Sequence, residues 1–447
     1  MTQEVDVLIV GAGLAGLACA FELVDVGRDV LVLEAQDHVG GRTASWLEDG
    51  MPVESGLHRW LGFFKRLPGL LERAGIAVDE LLCWEDEVEI IVPDGGPSGV
   101  IGMAPVYKPL RTIGGLLGNN DLLSPAEKAA LAVFFADGLR TYVSNPTSLD
   151  KQTVSGFARR HKVSERAIRR LLEPLTAGIF FLPPERYSAF AFFGFLAPGV
   201  PRLHRVRLGA FMGGMTEVMT GPLAKAITNK GGLVETEREV TRLLHDAGRV
   251  TGVETADGTY RSSHVVLATS LLPAQRLLRE HFADHDWFEP LLGMPSMPSV
   301  TLQAELDQPS MEVDRTAFGP GTAWGSFAEQ SRTTFRHAPG RLSIILTPPE
   351  RFLHLPDDEV FRIVCGDGER LGFDLAGHTT DFRVVSLPHD FYSLEPGNDW
   401  RRPEQRTPIP GLTLAGDYTR QRFLASMEGA VISGQKAAGI VSGSKTD

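Results

Sequence analysis

Cysteine is scarce in these 447 residues, with only Cys19, Cys83 and Cys365. Odd in number and far apart, they argue against a disulfide framework and a structural zinc site, so no metal is expected. Long apolar runs are missing too: none reaches the roughly 18 residues that a membrane span needs. Positive charge is in deficit. The 44 Lys and Arg against 56 Asp and Glu leave a net charge of −12, which disfavours nucleic acid as a partner. Internal repeats and low-complexity tracts are absent. The first ten residues already read as strand and not as a leader, which points to the reducing cytoplasm. What remains is an ordinary composition, 43 % hydrophobic and 22 % charged, long enough for two sizeable cores.

The informative pattern comes first. Asp6 to Val10 (DVLIV) reads as a strand, Gly11-Ala12-Gly13-Leu14-Ala15-Gly16 as a turn, and the Ala/Leu-rich stretch to about Val26 as a helix. A second apolar run, Asp29 to Leu33, ends on Glu34 and Ala35. This is the order a dinucleotide site needs. Gly11 permits the tight turn, Gly13 lets a pyrophosphate reach the backbone, and Gly16 lets the helix pack on the sheet. The helix start offers free N–H groups and partial positive charge to phosphates. Glu34, 18 residues after Gly16, is placed to accept hydrogen bonds from a ribose.

Two further segments separate a flavin from a nicotinamide. Val39-Gly40-Gly41-Arg42-Thr43 follows Glu34 closely, and a nicotinamide dehydrogenase has no standing need for it. Near the C-terminus, Leu412-Thr413-Leu414-Ala415-Gly416-Asp417 reads as a short strand ending in an acid. The stretch Tyr418-Thr419-Arg420-Gln421-Arg422-Phe423-Leu424-Ala425-Ser426-Met427-Glu428-Gly429-Ala430-Val431 then leads into a helix to about Val441. Both segments resemble the flavoproteins of the amine oxidase and phytoene desaturase superfamily. The C-terminal one resembles plant-type and cyanobacterial phytoene desaturases nearly residue for residue. Glu54-Ser55-Gly56-Leu57-His58 resembles the segment after the Gly-Gly-Arg turn in the same desaturases. Glu173-Pro174-Leu175 with Tyr187-Ser188-Ala189 looks like squalene- and phytoene-processing bacterial relatives.

The resemblance implies non-covalent FAD, since no cysteine lies near the C-terminal motif. Gly41 and Arg42 would meet the diphosphate, and Asp417 beside Gly416 the ribitol or diphosphate. The N–H groups near Met427 and Glu428 would face the flavin pyrimidine, where reduction places negative charge. Val240 aligns with the position that packs against adenine. His58 is a weak candidate for touching the chemistry, and no catalytic triad is expected.

The fold class expected is α/β: a Rossmann-like, glutathione-reductase-type FAD-binding domain with an interleaved α+β substrate domain. The three cofactor segments are separated in sequence, so the FAD domain is discontinuous, spanning 1–85, 208–285 and 400–447. The intervening segments, 86–207 and 286–399, form the substrate domain. Ser124-Pro125-Ala126-Glu127 reads as a capping box opening a helix to about Val143. Ser164-Glu165 opens another that Pro174 breaks. Met215 to Lys230 reads as a helix that Pro222 interrupts or restarts. Leu233 to Leu244, Arg249 to Thr255, Tyr260 to Ala268, Val300 to Leu306 and Arg341 to Thr347 read as strands. The aromatic run Phe180, Phe181, Tyr187, Phe190, Phe192, Phe193 and Phe195 is core first, with a greasy substrate tunnel or membrane-facing mouth as the alternative. The basic clusters at 159–162, 166–170 and 202–207 are solvated faces first, with docking to anionic lipid or an anionic substrate as the alternative.

No second GxGxxG is present for NAD(P)H, so the substrate itself is expected to donate the hydride. The preferred function is desaturation or dehydrogenation of a hydrophobic isoprenoid by hydride transfer to flavin N5, with oxygen or a quinone as electron acceptor. Peripheral contact with the inner face of the membrane accompanies it. A flavin amine oxidase is the alternative, disfavoured because Arg420, Gln421 and Arg422 stand where aromatic or small residues are usual in that family. A polyene isomerase using reduced FAD, or a non-catalytic flavin-binding partner, is the third reading.

Overall fold

The strand Thr2–Val10 lies inside a sheet, with parallel partners on both sides. Such a strand must be apolar on both faces, and Val7, Leu8, Ile9 and Val10 are all buried. The computed structural model describes residues 2–85, 87–102 and 120–443. The first sheet runs in the order Leu233–Glu235, Val30–Leu33, Thr2–Val10, Gly258–Leu267, Arg249–Thr255, Val240–Asp246, and Leu412–Leu414 adds in parallel to the end of Gly258–Leu267. The helices Leu14–Asp25 and Met427–Ser442 pack together on it, close enough that a Cβ on Gly434 would lie 2.1 Å from the Ala15 carbonyl oxygen.

The second sheet runs in the order Thr379–Tyr392, Ser296–Leu306, Gly340–Leu346, Trp324–Glu329, Ala317–Phe318, Glu87–Ile90, Gly99–Gly102. Only the Ala317–Phe318 and Glu87–Ile90 pairing is parallel in it. A hairpin, Ser45–Glu48 with Met51–Glu54, packs Met51 and Val53 against Val385 of the second sheet. Arg341, fully buried in the second sheet, donates to the Pro52 carbonyl (2.7 Å) and to Gln303 Oε1 (2.6 Å). Gln303 Oε1 also accepts from the Glu54 N–H at 3.2 Å. Burial pulls the Arg341 guanidinium down to about 10, still high enough to keep its charge near neutral pH. The mixed α/β fold expected from the sequence is the one observed.

Local expectations fared unevenly. Ser124 and Glu127 form the reciprocal capping box, and its helix runs from Pro125 to Ser144. Pro174 does not break its helix. A wide turn at Ile168–Leu172 precedes it, in which the Glu173 N–H reaches back five residues to Ile168, and the helix resumes as Glu173–Phe180. The missing proline N–H is absorbed at that irregularity. Pro222 behaves likewise: a wide turn, Thr216–Thr220, precedes the helix Gly221–Asn229. The expected strand Leu233 to Leu244 is two strands. Glu237, at φ +55°, turns the chain over the end of Val30–Leu33, and the Arg238 N–H donates to the Glu34 carbonyl at 2.7 Å.

The aromatic run is largely core. Phe192 and Phe193 are buried against Phe134, and Phe180 packs on Tyr187 and Phe195. Of the basic clusters, Arg159 pairs with Glu165 at 2.6 Å and Arg166 with Glu127 at 2.5 Å. Among the described residues no helix is long and apolar enough to cross a membrane.

Candidate active site

The glycines of the first turn are needed for different reasons. Gly11 has φ +102°, a conformation side chains resist. A Cβ on Gly16 would sit 1.9 Å from the Gly11 carbonyl oxygen, so the helix could not approach the strand. Gly13 is unlike both. Its φ is an ordinary −71°, and the nearest atom to an added Cβ is the Gly40 oxygen at 4.0 Å. Among the described residues nothing requires glycine there. Ala12, Leu14 and Ala15 complete the turn and the buried start of the helix.

The second turn interlocks with the first. The Gly40 N–H donates to the Ala12 carbonyl at 2.9 Å, and a Cβ on Gly41 would lie 3.2 Å from the Gly13 Cα. Arg42 follows in a short 3-10 turn and pairs directly with Asp417. Burial alone would lower the Arg42 guanidinium's hold on its proton. The carboxylates of Asp417 and Asp390 outweigh it and raise the value. Asp417 is buried and its second oxygen, Oδ2, has no partner among the described residues. Gly416 before it takes φ +147° and donates its N–H to Ser433 Oγ at 3.0 Å.

Glu34 is buried at the strand end. Its carboxylate accepts from the Ala12 N–H at 2.7 Å and the Gln36 N–H at 3.0 Å. It therefore stiffens the glycine turn itself, a role beyond the ribose contact expected. Ala35 and Gln36 line a hollow of about 490 Å³ with Glu239, Thr241 and Thr255. Val240, between Glu239 and Thr241, does not line this hollow and is buried in the hydrophobic core. A second hollow, about 550 Å³ and lined by Arg351, Arg362 and Arg370, lies by the helix Asp357–Leu371 and touches none of these residues.

At the C-terminal helix, Ser426 caps the N-terminus by accepting from the Gly429 N–H at 3.2 Å. The N–H groups of Met427 and Glu428 in that first turn have no acceptor among the described residues. The Glu428 side chain does something the sequence did not signal. Fully buried, its carboxylate accepts from the N–H groups of Lys65 (2.8 Å), Arg66 (2.7 Å) and Leu67 (2.8 Å). It thereby caps the helix Arg66–Arg73 from across the structure. Arg402, also unforeseen, donates to the carbonyls of Tyr418 (3.3 Å) and Asp417 (3.4 Å) and also to that of Thr419. It holds the Asp417 turn in place.

His58 lies beside this cluster. Its Nδ1 is buried without a partner among the described residues, and Glu54 Oε2 stands 3.9 Å away, too far for a hydrogen bond. From the second sheet Ser299, Thr301 and Asp390 also present buried oxygens with no partner among the described residues. Tyr392, near Arg42 and Asp417, accepts from the Ala425 N–H at 3.1 Å, and burial pushes its phenol up to about 12, so it stays protonated. Buried polar atoms are normally paired. A cluster of orphans beside two glycine turns and two free helix N–H groups is the chemistry of a polar, phosphate-bearing ligand site.

The residues from 14 to 442 match the model of the flavin containing amine oxidoreductase family. The chain belongs to that family. It is a flavin-dependent oxidoreductase. Its curated relatives include the 15-cis-phytoene desaturase of Solanum lycopersicum, 26 % identical and covering 98 % of this chain and 77 % of the relative. The 15-cis-phytoene desaturase of Synechococcus elongatus is 26 % identical over 97 % of this chain and 94 % of the relative. A probable zeta-carotene desaturase of the same organism is 28 % identical over 97 % of each. Among solved structures, putrescine oxidase bound to putrescine superposes with a TM-score of 0.77 at 18 % identity, covering 99 % of this chain and all of the other. Cyclohexylamine oxidase from Brevibacterium oxydans does so at 0.70 and 21 %, covering 98 % and 99 %. At that identity, this family member shares a fold with the amine oxidases and nothing finer.

Proposed function

We propose that this protein binds FAD non-covalently and desaturates or dehydrogenates a hydrophobic isoprenoid of the phytoene or squalene type. Similarity to phytoene and zeta-carotene desaturases over nearly the full length, at 26 % and 28 % identity, carries the reading, whereas the amine oxidases match at the level of fold. The residues present suit FAD. Gly13 leaves its Cβ position open, Arg42 is the guanidinium for a diphosphate, and Asp417 and Glu34 are acceptors for ribitol and ribose hydroxyls. Val240 is the adenine wall, and the Met427 and Glu428 N–H groups favour negative charge at the flavin pyrimidine. When bound, FAD supplies a two-electron acceptor that no side chain can provide. The protein's own part is to position a C–H bond and exclude water.

In this reading the cofactor domain is 1–85, 208–285 and 400–447 and the substrate domain is 86–207 and 286–399, a division supported by which strands join each sheet. Oxygen or a quinone takes the electrons, and the protein touches the membrane that holds its substrate. Arg422 is exposed beside Gln421 and Arg420 is committed to the Arg402 carbonyl at 2.8 Å, so neither guanidinium decides against an amine. The test is anaerobic bleaching of the yellow protein by C30–C40 isoprenoids in detergent. Bleaching by amines alone overturns the reading.

A further inference from the structure

Asp390 sits near the end of the strand Thr379–Tyr392 and no cofactor motif includes it. The charges of Arg42 in the 3-10 turn, His58 beyond the hairpin and Asp417 in the C-terminal segment act on it, and the Ser299 hydroxyl of the neighbouring strand lies close without closing a hydrogen bond to Oδ1. Glu54 stands behind His58 at 3.9 Å. The Oδ1 atom of Asp390 is buried with no partner among the described residues.

The charges here do not balance once a cofactor is added. Arg42 already faces two carboxylates, of which only Asp417 bonds to it directly, and the nearby Arg402 guanidinium is committed to the Tyr418, Asp417 and Thr419 carbonyls. A diphosphate brings two more negative charges to the same guanidinium. An ionised carboxyl without a partner is costly to bury, and a proton is the usual relief. Asp390 is the group without a direct cation, so it is the group to take that proton. Burial already holds its carboxyl above the usual range, with Arg42, Ser299 and His58 opposing and Asp417 adding to the effect.

We propose that Asp390 is a further residue of the cofactor site, and that FAD enters together with one proton held on the Asp390 carboxyl. The inference rests on the FAD reading above. As a neutral acid, Asp390 offers the site an O–H donor where an ionised group would repel the phosphates.

The test is calorimetric titration of the full-length apoprotein with FAD, in paired buffers of different ionisation enthalpy, from about pH 6 to about pH 9. The wild type is expected to take up close to one proton per FAD in the upper part of this range. Its affinity should fall there by about tenfold per pH unit. Asp390→Asn should take up none and bind with flat pH dependence, and Asp390→Ser repeats the question should the amide disturb folding. His58→Gln should keep the uptake. Proton uptake retained in both Asp390 variants, uptake lost in His58→Gln, or no uptake by the wild type at any pH would overturn the proposal. A wild type that binds no FAD overturns the cofactor reading itself, an outcome distinct from all of these.

Discussion

Two kinds of carboxylate with buried oxygens coexist in this protein. Glu127, in the helical segment between the sheets, receives the Ser124 N–H and Oγ (both 2.8 Å), Ser164 Oγ (2.5 Å) and Arg166 (2.5 Å). Glu428 receives three backbone N–H groups. At the seam between the sheets, Asp390 and Asp417 each keep an oxygen with no partner among the described residues, and so does Nδ1 of His58. The first kind is served by its own chain and holds structure together. The second is left for something that the chain does not supply. Asp314 Oδ2 elsewhere also lacks a partner among the described residues, so it is the clustering of such atoms beside the two glycine turns that marks the ligand site.

That contrast can be broken by mutation. Glu428→Ala strips the acceptor from three N–H groups at the start of the helix Arg66–Arg73, and should cost about 3 kcal/mol in urea unfolding of the apoprotein. A loss below about 1 kcal/mol would move Glu428 out of the structural class. Glu127→Ala loses the capping box and should cost about 1.5 kcal/mol. The Arg166 guanidinium, with Ser164 and Ser124, holds the Glu127 carboxyl well below the usual range. Its stabilisation is therefore whole above about pH 5 and is lost as the pH falls through the carboxylate range. A wild-type and Glu127→Ala difference that stays constant down to about pH 3 would contradict this. Gly13→Val has the smallest effect on the fold, about 1 kcal/mol at a helix N-cap, yet should leave the protein colourless. Retained flavin in a folded Gly13→Val protein would remove the turn from the cofactor site.

Much of the first sheet was legible because its signals are local. A strand, a glycine turn and a helix lie within 25 residues, and the Ser124 capping box is written in four. The seam was less so. Asp390 and Ser299 come together only because strands far apart in sequence pair in the second sheet. Glu428 lies in a recognisable motif, but its side chain serves a helix about 360 residues earlier, which no spacing announces. Arg402 reads as one of several arginines in a polar stretch until the fold buries it. Pro174 reads as a break because propensity is local, whereas a wide turn ahead of it lets the helix go on; at Pro222, read as an interruption or a restart, the helix restarts after a similar turn.

The central claim is that the unsatisfied seam holds FAD against a hydrophobic isoprenoid. Its most direct test is anaerobic absorbance titration of the purified protein with hydrocarbon and hydroxylated C30–C40 isoprenoids, and separately with amines. The account predicts flavin absorbance that bleaches with an isoprenoid and not with amines. Bleaching by an amine alone, or a protein that carries no flavin, would contradict it.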